Sequence, residues 1–72
     1  MKYVIFSGAL PTPVIFPEWI PHKEIANGKP VSSAGFCRLK DGRVITWGCS
    51  QGLSKAPAED DQQLLTMYME KL

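Results

Sequence analysis

Residues Gly48-Cys49-Ser50-Gln51-Gly52 spell G-x-S-x-G, the lettering of a nucleophile elbow. In that motif the serine sits on a strained strand-to-helix turn of a large α/β sheet, with its acid and histidine arriving later in the chain. Here the single histidine, His22, comes before the serine and a loop follows it, so the stretch reads better as a glycine-bounded strand end. His22, Cys37 and Cys49 are the strongest metal-ligand candidates besides carboxylates. They include no Cys-x-x-Cys pair, whereas a structural zinc site draws four ligands in close pairs. A Cys–His nucleophile pair has no better support. The plainer reading packs the cysteines as small hydrophobes and leaves His22 partly solvated near the start of a short helix. No catalytic residue, metal or cofactor is assigned.

Two charged groupings remain. Glu59-Asp60-Asp61 could hold magnesium, but successive helical positions point in different directions, and three acids in the first turns of a helix complement its dipole. Arg38, Lys40 and Arg43 gather at a hairpin tip with Trp47 further along the ribbon, a combination that can hold nucleic acid by phosphate contact and stacking. Basic tips also serve to protect strand edges. The sequence pI near 7.8 lies below that of a dedicated nucleic-acid domain.

The element that positions most of these residues is a β-hairpin. Two β-rich runs, 31–39 and 44–49, flank Asp41-Gly42, and a type I′ turn needs positive φ at both central residues. With those two as the loop, Lys40 faces Arg43, Leu39 faces Val44, Cys37 faces Thr46 and Phe36 faces Trp47. Alternation then puts Ala34, Phe36, Ile45, Trp47 and Cys49 on one face and Cys37, Leu39, Val44 and Thr46 on the other. The first set carries more aromatic surface and is expected to face the core. The register separates Cys37 from Cys49, which predicts two reduced thiols and no disulfide.

The remainder supplies a second hairpin and two helices. Residues 2–7 and 13–16 read as strands around a Gly8-to-Thr12 turn, with Pro13 at a strand start where proline is tolerated. Residues 22–26 read as a short helix, with Pro21 at its first position and Asn27-Gly28 ending it. Lys29-Pro30 enforces an extended approach to the next strand. Pro57 opens a C-terminal helix whose Leu64, Leu65, Tyr68 and Leu72 form an apolar stripe, with Lys71 in its last turn. The expected architecture is one α+β domain spanning residues 1–72. It is a small antiparallel sheet of two β-hairpins in the order β-β-α-β-β-α, with the C-terminal helix packed on one face. Trp19-Ile20, between prolines, is expected to close one end of the core; if exposed, Trp19 would anchor a protein partner.

A chain of 72 residues with 44% hydrophobic content and net charge +1 is a globular domain near the lower size limit, and its overall charge selects no partner. The charge is unevenly placed: Lys23, Lys29, Arg38, Lys40, Arg43 and Lys55 face only Glu24 and Asp41 between residues 22 and 55. The apolar run 3–6 is broken at Ser7-Gly8, so no signal peptide or membrane span is expected, and the reduced cysteines point to a cytoplasmic protein.

The segments VIFPE at 14–18 followed by His22, PVSSAGF at 30–36, WGCSQGLS at 47–54 and EDDQ at 59–62 together resemble a group of small proteins of bacteriophages and prophages. Ser33, Ala34, Gly35, Phe36, Gly48 and Ser50 carry most of the resemblance. Cys49 and the Lys55-Ala56-Pro57 approach depart from it. The resemblance implies no activity. It implies a small accessory protein made inside a bacterial host. With few convergent polar groups and little room for a substrate cleft, the chain is expected to be a noncatalytic protein-interaction module. It would bind a host or phage protein through Trp19 and the hairpin face around Leu39, Val44 and Thr46. Nucleic-acid or nucleotide binding through Arg38, Lys40, Arg43 and Trp47 ranks second, and a homodimer is compatible with either.

Overall fold

The computed structural model describes residues 1–71. The elements follow in the expected order: β1 (Lys2–Phe6), β2 (Thr12–Phe16), α1 (His22–Ala26), β3 (Val31–Lys40), β4 (Arg43–Trp47) and α2 (Asp61–Glu70). All neighbouring strands are antiparallel, in the sheet order β2-β1-β3-β4. Asp41 and Gly42 have φ of 51° and 79°, the two left-handed residues of a type I′ turn. The hairpin register is the expected one, from Lys40 opposite Arg43 to Phe36 opposite Trp47.

β2 and β3 pair with the two edges of β1, and the two helices cover its two faces. Tyr3 and Ile5 join Cys37, Val44 and Leu65 in a core beneath α2, while Val4 joins Phe16, Ala26, Val31 and Ala34 beneath α1. This corrects the expected orientation of the second hairpin. Its Cys37–Val44 face lies under the long helix, and its Phe36–Trp47 face is only partly covered, leaving Trp47 44% exposed. The aromatic count within the hairpin was outweighed by Tyr3 and Ile5, which the central strand contributes to the opposite face. From α2, Leu65 is fully buried, with Leu64 and Met69 packed beside it. Burying a leucine is worth about 1.5–3 kcal/mol. Leu72, expected in the same stripe, lies outside the described residues.

The long helix starts at Asp61, later than Pro57. Ahead of it, residues 56–58 cross the sheet. The Ala56 carbonyl accepts from the Ala34 amide at 3.4 Å, beyond the end of β4, and Pro57 settles onto Gly35. A Cβ on Gly35 would stand 2.9 Å from both Pro57 Cγ and the Trp47 carbonyl oxygen. A glycine inside a strand often marks such a close backbone approach.

Each edge of the sheet is closed by its own device. On β4, the Val44 amide donates to Thr66 Oγ1 at 2.9 Å and the Thr46 amide to Gln62 Oε1 at 3.0 Å. One helical turn separates the two acceptors on α2, which matches the two-residue repeat of outward-facing strand donors. On β2, Pro13 lacks an amide hydrogen altogether, and Pro17 ends the strand.

Gly35→Ala is expected to destabilise the fold by about 1–3 kcal/mol, because the added methyl meets backbone on one side and a proline ring on the other. Urea unfolding followed by tryptophan fluorescence would measure it. An unchanged midpoint would contradict the close approach.

Candidate functional site

Trp19 is 82% exposed, not closing the core as expected. Pro17 stops β2, and the Ile20 amide donates to the Pro17 carbonyl at 3.2 Å, making a tight turn. That turn directs Ile20 into the core beside Phe16 and Ala26 and leaves the indole outside. Two contacts from the start of β1 hold the turn. The Met1 ammonium lies 3.4 Å from Glu18 Oε1, and Lys2 Nζ donates to the Ile20 carbonyl at 3.1 Å. The indole, Met1 and residues 15–18 line an open groove of about 500 Å³.

The other expected partner-binding residues lie elsewhere. Leu39, 55% exposed, projects near the hairpin tip. Val44, at 3% exposure, lies beneath α2 and cannot contact a partner, a correction that follows from the reversed orientation of the hairpin. Thr46 is half-buried, with its amide held by Gln62. None of these three lines the Trp19 groove.

Arg38, Lys40 and Arg43 are exposed. The cross-strand pairs Arg38–Ile45, Lys40–Arg43 and Phe36–Trp47 place all three cations and Trp47 on one face, opposite α2. Trp47 stacks on Phe36 with ring centroids 6.0 Å apart and planes 22° from parallel. Gly48, at φ 73°, lets Phe36 approach: its Cδ1 stands 2.8 Å from where a Cβ would be.

His22 is buried between Phe16 and Phe36, edge-on to both, with Nε2–H donating to the Gly35 carbonyl at 2.8 Å. The partly solvated position expected for it is thus corrected. A cleft of about 370 Å³ brings His22 together with Lys2, Lys23, Phe36, Cys49 and Ser50, residues that are distant in sequence. The G-x-S-x-G serine and the histidine therefore border one space, but no hydrogen bond joins them. Ser50 Oγ is buried and has no hydrogen-bond partner among the described residues. Serine activation works through a hydrogen bond to a base that a third group orients, and among the described residues no carboxylate lines the cleft. Among the described residues no three His, Cys, Asp or Glu side chains converge to hold a metal ion. Cys37 is buried and Cys49 exposed, and both are free thiols.

One polar cluster had no forerunner in the sequence reading. Asp61, expected to serve the helix dipole from the first turns of the helix, is buried. Its carboxylate accepts from Tyr3 Oη at 2.6 Å, Ser33 Oγ at 2.9 Å and the Ala58 amide at 2.8 Å. The Asp61 amide donates back to the Ala58 carbonyl at 3.1 Å, a reciprocal arrangement akin to a capping box. Tyr3 and Ser33 are both buried as well, so the cluster is structural. Burial, then the hydrogen bond to Asp61 and its charge, push the Tyr3 phenol far above its ordinary value of 10.0. Burial likewise pushes the Cys37 thiol above 9.0.

Comparison with protein families, with characterised proteins and with solved structures returns no match. No helix among the described residues is long and apolar enough to cross a membrane.

Two outcomes are expected. The folded chain keeps the Tyr3 and Cys37 protons where the unfolded chain releases them, so stability is fully present below pH 9 and falls as pH rises through 9 and 10. Each group adds a slope of up to about 1.4 kcal/mol per pH unit. Tyr3→Phe should remove its share of the slope in urea titrations at stepped pH; an unaltered slope would sink the assignment. In the native protein, a thiol reagent should label Cys49 at once and Cys37 only after denaturant is added, which mass spectrometry of the labelled peptides would resolve.

Proposed function

We propose that this chain is a small noncatalytic protein-interaction module of phage or prophage origin, working in the cytoplasm of a bacterial host, and that it binds a host or phage protein through the groove around Trp19. The carrying observation is the indole itself, 82% exposed at the tip of a turn that contacts from Met1 and Lys2 hold in place. A tryptophan offers about 150–250 Å² of surface. At about 25 cal/mol per Å², its exposed share represents roughly 3–5 kcal/mol of burial that a partner can collect. Pre-ordered aromatic anchors of this kind dominate protein interfaces.

The closed sheet edges favour the same reading. With β4 capped by Gln62 and Thr66 and β2 lacking a donor at Pro13, strand addition has little backbone to use, so a side-chain anchor must supply the affinity. Leu39 offers a second apolar contact near the hairpin tip. The phage setting is supported by the resemblance centred on residues 33–36 and on Gly48 and Ser50.

Trp19→Ala tests the reading, since the exposed indole can be removed with little effect on the fold. Immobilised parent and variant would be incubated with nuclease-treated bacterial lysate, and retained proteins identified by mass spectrometry. The parent should retain a defined protein that the variant loses by tenfold or more, about 1.4 kcal/mol. Equal retention by both, or none by either, would discard the proposal.

A further inference from the structure

We propose that the sheet face opposite α2 is a platform for single-stranded nucleic acid, a second binding surface distinct from the Trp19 groove. Its residues are Arg38, Lys40, Arg43 and Trp47, with Lys2 extending it. Arg38 and Lys40 stand about 7 Å apart along β3, a spacing suited to successive phosphates of an extended strand, and Arg43 lies directly across the ribbon from Lys40. Among the described residues the one ion pair joins the Met1 ammonium to Glu18, so none of these cations is held in an ion pair. Four of the seven acids, Glu59, Asp60, Asp61 and Glu70, lie at or beside α2 on the other side of the sheet, while Glu24 lies on α1 and Asp41 in the hairpin turn.

The aromatic part is already ordered. One face of the Trp47 indole stacks on Phe36, which is held in turn by Gly48 and by the edge of His22. The half-exposed remainder of the indole needs no rearrangement to receive a base. Beyond Phe36, Lys2 leads into the cleft bordered by His22, Lys23 and Ser50. Among the described residues no carboxylate lines that cleft, and Ser50 Oγ, in a residue only 3% exposed, has a hydrogen bond to give. Cations bordering a stacking surface suit a chain whose phosphates and unpaired bases are presented together. A duplex hides its bases and would leave Trp47 unused. DNA and RNA share this chemistry, and the ribose 2′-hydroxyl is what separates them.

Fluorescence anisotropy with labelled oligothymidine and oligouridine, a matched duplex and labelled polyglutamate tests the proposal on the full chain. Both single strands, or one of them, should bind more tightly than the duplex. Trp47→Ala should weaken binding about tenfold, while Trp47→Phe, which keeps a stacking ring, should stay near the parent. Replacing Arg38, Lys40 and Arg43 with glutamine should reduce the slope of log K against log salt by about 2, since each single-strand phosphate contact contributes about 0.7. All three are exposed, so thermal unfolding of this variant should match the parent. Trp19→Ala should bind as the parent does, which keeps this surface separate from the protein-interaction reading. Failure of both single strands to bind at low salt, duplex binding as tight, polyglutamate binding in their place, or an unchanged slope in the triple variant would each overturn it.

Discussion

A carboxylate can leave water only where donors converge on it, and the pose of the long helix depends on one that does. Asp61 gathers the phenol of β1, a hydroxyl of β3 and the amide of Ala58. It thereby fixes the first turn of α2 against the two central strands. Leu65 then falls over Tyr3, Ile5, Cys37 and Val44, and Gln62 and Thr66 fall over the free amides of β4. Without the acid, the buried phenol and hydroxyl would each lack a partner, at about 1–3 kcal/mol apiece. The same placement commits the helix to one side of the sheet, which leaves the cations of the second hairpin facing water on the other.

Much of the local structure was legible because local chemistry decides it. Asp41-Gly42 admits one kind of turn, and that turn sets the pairing of β3 and β4 residue for residue. Pro21 and Asn27-Gly28 bounded α1 correctly, with Pro21 standing just before the helix at φ −64°, ψ 142°. What stayed illegible depends on contacts between distant segments. The place of β1 at the centre of the sheet rests on pairs such as Tyr3 with Gly35, and no turn announces them. Which face of the hairpin is buried followed from that placement, so counting aromatic residues within the hairpin alone chose wrongly. The late start of α2 reflects Pro57 being used to cross the sheet at Gly35.

The functional candidates divide along the same line. Arg38, Lys40, Arg43 and Trp47 could be grouped in advance because the hairpin register alone puts them together. Trp19 was recognisable as an anchor by its flanking prolines, but its exposure was decided by Ile20, which took the core position. Val44 was misplaced with the hairpin face that carries it. Asp61 was invisible because its two side-chain partners lie 58 and 28 residues away, while an acid near a helix start already has an ordinary explanation. The meeting of His22 with Ser50 in one cleft likewise needed the folded chain.

The capping of β4 by α2 also sets an order of events during synthesis. The acceptors for Val44 and Thr46 follow them by 22 and 16 residues, and the acceptor for Tyr3 follows by 58. All four strands therefore exist before their cover does. At about 5–20 residues per second, the stretch from β4 to the end of α2 takes on the order of seconds to emerge. For that interval the nascent sheet shows an open edge and a phenol with no acceptor, the condition in which neighbouring chains pair wrongly. Arg43 opens that edge strand beside the turn, and a charge there discourages edge-to-edge pairing.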